Sequence, residues 1–125
     1  MKKIKQIQDL QAITQLVFTA QSQEVQKLNQ EQQKLREKLA DLAQEEERSQ
    51  RMIAEDMQLR MTRMDVLWQA WIGEQKSALN LRLAQVSAEK ERSLSKLKTA
   101  FGRKEVATGL VDQARALKRP AGRDR

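Results

Sequence analysis

From Ile4 onward, apolar residues recur at steps of three and four: Ile7, Leu10, Ile13, Val17 and Ala20, then Val25, Leu28, Leu35, Leu39 and Leu42. That spacing draws one stripe along an α-helix. Leu28, Leu35 and Leu42 lie seven apart, which gives the stripe the narrowness of a coiled-coil seam. Gln, Lys and Glu fill the positions between, and all three are good helix formers with solvated heads. A second stripe runs through Ile53, Met57, Met61, Met64, Trp68 and Trp71. It continues through Leu79, Leu83, Val86, Leu94, Leu97 and Phe101 and ends at Leu110, Ala114 and Leu117. The single proline is Pro120, so nothing of that kind interrupts residues 1–119. Either one very long helix dimerises to cover its stripe, or two arms fold back on each other.

Equal arms favour the second arrangement. The stripe degrades across Glu45–Ser49, and Thr62 with Asp65 three residues on resembles a capping box, with Asp replacing the preferred Glu. A turn near residues 58–62 predicts arms over 4–57 and 63–117, each about 54 residues and about 80 Å long at 1.5 Å per residue. Gly73 is a competing turn position, but it would leave arms of unequal length. The predicted fold is all-α: a long antiparallel two-helix coiled-coil hairpin, one helical domain over 1–119, followed by a basic disordered tail at 120–125. Residue i of the first arm then faces about residue 120 − i, which brings Phe18 near Phe101. The same register gathers Met57, Met61, Met64, Trp68 and Trp71 close to the turn. Two readings of that cluster stay open. It packs as core against the segment 42–52, or it forms an adhesive surface. Trp68 and Trp71, flanked by Leu67 and Ile72, span more arc than a seam covers, so one Trp is expected half exposed. Gly102 and Gly109 are expected to mark close backbone approach or a bend.

Composition narrows the function more than the fold. Among 125 residues there are 17 Gln, four Gly and one Pro, and aromatics make up only 3%. A β-sandwich or a parallel α/β domain needs turn residues and β-branched or aromatic strands that are missing here. Cys and His are both absent, which removes thiolate nucleophiles, imidazole bases and the usual zinc ligands. No enzymatic activity, cofactor or metal is expected. No apolar run approaches the 18–20 or so residues of a membrane span. The basic start Met1-Lys2-Lys3-Ile4-Lys5 is followed by Gln6, Gln8, Asp9 and Gln11 rather than an apolar signal core. The expected location is the cytoplasm, with peripheral contact at the inner membrane as the outer limit.

Charge supplies the candidate chemistry. The net charge is +7 and the pI about 10.0, a balance that suits acidic partners. Residues 41–56 are net −4, whereas residues 76–104 carry eight cations against two carboxylates. A hairpin brings the termini together, so Lys2, Lys3, Lys5, Arg115, Lys118 and Arg119 form a basic pole. These six, with Met64, Trp68 and Trp71, are the candidate partner-binding residues. A solvated helix surface explains such a pole equally well; an acidic protein is the favoured partner beyond that. Nucleic acid is disfavoured, because no aromatics interleave with the cations to stack on bases.

Three stretches carry a family likeness: Leu67-Trp68-Gln69-Ala70-Trp71-Ile72, Leu79-Asn80-Leu81-Arg82-Leu83-Ala84 and Ala100-Phe101-Gly102-Arg103. Together with a basic start and a Gln/Glu/Lys-rich first arm, they resemble the FliJ-like and YscO-like proteins of bacterial type III and flagellar export systems. The resemblance implies a non-enzymatic stalk that enters the ring of the export ATPase and contacts the export gate and export chaperones. It carries over no catalytic residue, and a monomeric hairpin or a weak homo-oligomer is expected. A generic structural coiled-coil adaptor or chaperone-like protein is the alternative, and a basic nucleic-acid-binding helical protein a more distant one.

Overall fold

The computed structural model describes residues 2–118. Of these, 97% are helical and none lies in a strand. The order is α1 (Lys2–Glu55), α2 (Met57–Met61) and α3 (Met64–Lys118). The two long helices pack against each other as an all-α helical hairpin. The basic tail 120–125 lies outside the described residues.

The connection is built from local chemistry. Asp56 stands between α1 and α2, and its Oδ1 accepts the backbone N–H of Gln58 at 2.9 Å, an N-cap that satisfies an otherwise orphan donor. The Thr62 amide donates to the Gln58 carbonyl at 3.1 Å and closes α2. Arg63 then takes φ 59°. This left-handed conformation costs a residue with a Cβ about 1–2 kcal/mol and turns the chain back. The Arg63 carbonyl accepts the Leu67 amide at 3.4 Å, just before α3 begins at Met64. Asp65 sits in the first turn of α3, where its charge meets the positive end of the helix dipole. Gly73 is helical and makes no turn.

The chain divides into two compact units: Leu28–Glu89, which holds the turn, and Met1–Lys27 with Lys90–Arg125, which holds both helix ends. In the turn unit, α1 directs Leu28, Gln32, Leu35, Leu39, Leu42, Glu46, Ser49 and Ile53 inward. The steps alternate four and three without interruption, a heptad seam. Leu28, Leu35 and Val86 form the buried core, with Leu79 and Leu83 packed on it. Gln32 is buried within the seam and donates from Nε2 to the Ser87 hydroxyl at 3.1 Å. A buried amide at one seam position selects register at some expense of stability. Ion pairs also cross between the helices: Arg82 Nε donates to Glu31 Oε1 at 2.9 Å beside the seam, and Lys76 meets the seam residue Glu46. Both are partly solvated, so each contributes about 0–1 kcal/mol.

In the end unit the same heptad phase reads Ile4, Ile7, Gln11, Thr14, Phe18, Gln21 and Val25 on α1. This overturns the expected stripe, because Leu10, Ile13 and Val17 are 43%, 57% and 43% exposed. The reason is geometric. An unbroken helix paired at a 3.5-residue repeat cannot rotate to follow an apolar run displaced by one position. Gln11, Thr14 and Gln21 therefore face α3 in their place. Its inward positions include Ser93, Leu97, Ala100, Lys104, Ala107, Val111 and Ala114. Gln11 Nε2 lies 3.5 Å from the Thr108 hydroxyl. Phe18 and Phe101 meet at 5.9 Å between ring centroids, and Lys104 Nζ sits 4.6 Å above the Phe18 ring, a cation–π contact. Phe18–Phe101, Gln11–Thr108 and Gln32–Ser87 all fall within one residue of the register expected from a turn near residue 60.

The glycines are unconstrained by the fold. A Cβ added at Gly73, Gly102 or Gly109 would meet nothing within 4 Å, which contradicts the expected close backbone approach at the last two. All three are helical with negative φ. Gly73→Ala and Gly109→Ala should therefore each stabilise the protein by about 0.5–1 kcal/mol. Urea unfolding followed by circular dichroism measures this, and a lower midpoint for either variant would contradict the open space at that position.

Candidate partner-binding surfaces

The first candidate surface lies at the helix ends. Lys2, Lys3 and Lys5 on α1 and Arg115 on α3 are all exposed and belong to the end unit. Lys3, Ile4, Ile7, Ala114 and Leu117 line one shallow groove, which sets the start of α1 beside the end of α3. Leu117 is 80% exposed there. Lys118 closes α3, and its side chain, like the whole of Arg119, lies outside the described residues. Among the described residues the end unit holds twelve cations and five carboxylates, whereas the turn unit, Leu28–Glu89, holds nine and eleven. The basic character is thus concentrated in one unit.

The second surface surrounds the turn. Met57, Met61 and Met64 are exposed, as are Met52, Val66 and Leu67. Of the two readings left open for the methionine and tryptophan cluster, core packing fails for these methionines. The two indoles divide the roles. Trp68 and Trp71 stack on each other, with centroids 5.0 Å apart and planes 24° from parallel. Trp68 is half-buried and borders a hollow with Glu45, Ser49, Met52, Ile53 and Met64. Trp71 is 46% exposed and borders Lys38, Asp41, Leu42 and Glu45. Ile72, next in the chain, is fully buried and anchors this turn of α3. Among the described residues, Trp68 Nε1 and Asp65 Oδ1 are shielded from solvent without a hydrogen-bond partner. Such orphans typically cost about 1–3 kcal/mol each.

A third surface was hidden from a reading of apolar spacing alone. Leu10, Ile13, Leu16 and Val17 stand out from α1 in the end unit, and Val106 and Leu110 stand out from α3. The signal that finds them is the heptad phase carried forward from Ile4 and Ile7, which leaves all of α1's members off the seam. Among the described residues no group of three or more acidic side chains is placed to hold a metal ion. No described helix is long and apolar enough to cross a membrane. Comparison with protein-family models, curated proteins and solved structures finds no match to this chain, so the functional reading rests on its own residues.

Proposed function

We propose that this chain is a non-enzymatic coiled-coil stalk of a bacterial type III or flagellar protein export apparatus, contacting the export ATPase ring and the export gate. The observation that carries the reading is the exposed set Lys2, Lys3, Lys5 and Arg115 in a hairpin whose helix ends share one strongly basic unit. A two-helix hairpin presents long side chains to a surrounding ring. Each solvated cation would contribute about 0–1 kcal/mol alone, so the effect lies in their number. The exposed Met/Trp surface at the turn suits a second, adaptable contact with the gate or with export chaperones. The same surface is what favours the second reading, a generic coiled-coil or chaperone-like adaptor.

The test is binding to, and stimulation of, a type III export ATPase. Changing Lys2, Lys3, Lys5 and Arg115 together to Gln should weaken binding at least tenfold and reduce its salt dependence, with helix content unchanged. If the quadruple variant binds and stimulates like the parent, the basic end is not the inserted end. If the parent itself leaves the ATPase unaffected, the export reading fails and the adaptor reading stands.

A further inference from the structure

We propose that the end unit carries a docking groove for an acidic amphipathic helix supplied by another protein, lined by Leu10, Val17, Thr99, Gly102, Arg103 and Val106. The groove follows from the displaced heptad phase. Leu10 and Val17 fall just outside the seam on α1 and form one wall, while Val106 and Arg103 on α3 form the other. Leu10, Thr14, Thr99, Gly102, Arg103 and Val106 border one stretch of it. Val17, Gln21, Thr99 and Arg103 border the next. Thr99 and Arg103 line both, so the two hollows are one groove between the helices. From Leu10 to Val17 is two helical turns, about 10 Å, and a partner helix of two to three turns matches that length.

Three further features select the occupant. The floor is built of small side chains, Thr14, Thr99, Ala100 and Ala107, with Gly102 beside them. Gly102 is unexplained by the fold itself, since the space where its Cβ would lie is empty. A helix seated in the groove would use that space to bring its backbone close. Leu10 and Val17 make the α1 wall apolar and Val106 adds to it from α3, which fits the face of an amphipathic helix and not a nucleic-acid backbone. The lining residues include Arg103 and Lys96 and no carboxylate, within a unit of twelve described cations and five carboxylates. A second copy of this chain would set two such units, and two Arg103 side chains, against each other. A helix with Asp or Glu flanking its apolar stripe meets Arg103 and Lys96 with the opposite charge.

The experiment uses the full chain and a labelled helical peptide of about three heptads, Leu at a and d and Glu elsewhere, read by fluorescence anisotropy. A matched peptide carrying Lys for Glu is the control. The acidic peptide should bind, the basic one should not, and Gly102→Leu and Val106→Glu should each weaken binding at least tenfold. Gly102→Leu fills open space, so its thermal melt should equal or exceed the parent's and separate blocked docking from lost folding. Equal binding of both peptides, or unchanged binding by both variants, overturns the proposal. So does concentration-dependent dimerisation abolished by Gly102→Leu, which assigns the groove to a second copy. Binding to phosphatidylglycerol vesicles that excludes the peptide and is lost with Val106→Glu assigns it to a membrane surface. The cations changed in the ATPase test lie outside this groove, so the two readings fail independently.

Discussion

Leu28→Ala should lower the free energy of unfolding by about 2–4 kcal/mol, a large part of what a two-helix hairpin holds. Leu28 is 3% exposed and packs in one cluster with Leu35 and Val86. Deleting its side chain removes apolar contact on both helices and leaves a void that a two-layer structure cannot fill from a third direction. Leu16→Ala, at a position 70% exposed, should cost less than about 0.5 kcal/mol. Thermal and urea unfolding of both variants measures the contrast. If the two changes cost the same, the seam does not carry the stability and the pairing of the helices is wrong.

The second large effect concerns the stacked indoles. Trp68→Ala should cost about 2–3 kcal/mol, because Trp68 is half-buried and borders Ile53 and Met52 across the turn unit. Trp71→Ala should cost under about 1 kcal/mol, since nearly half of its surface is solvated and what it loses is chiefly the stack on Trp68. The double variant should fall short of the sum by the coupling of that stack, about 0.5–1.5 kcal/mol. Trp68→Phe is a useful companion, because the orphan Nε1 donor leaves with the indole and part of the lost packing is offset. Melting temperatures decide the matter: a larger loss for Trp71 than for Trp68 would reverse the assigned roles.

The hairpin was legible because its cause is periodic. Helix formers fill the gaps, no proline intervenes before Pro120, and the apolar spacing sets a 3.5-residue repeat over most of the first arm. Val25, Leu28, Leu35, Leu39 and Leu42 were correctly read as inward because they are both apolar and in phase. Leu10, Ile13 and Val17 were misread because they are apolar and out of phase. Phase prevails there: pairing is cooperative along a continuous helix, and a few displaced side chains cannot twist it. The basic end was legible as composition, and its cations are exposed as solvated side chains should be. The turn methionines were harder. Their spacing is helical, yet α2 is only five residues long and offers no facing helix to pack against, which no count of apolar steps reveals.

The matched seams also govern how this chain can change its length. Each inward position on α1 has a counterpart on α3 whose number makes the same total: Ile4 with Ala114, Leu35 with Leu83, Ile53 with Asp65. One residue inserted into either helix would turn everything beyond it by about 100° and expose the seam. Seven inserted into one arm alone would restore the phase but slide every partner along by about 10 Å. Only equal heptads added to both arms preserve pairing and phase at once. Lengthening or shortening that keeps every pairing and the phase therefore takes fourteen residues at a time, seven in each arm, with the connection from Asp56 to Arg63 carried along unchanged.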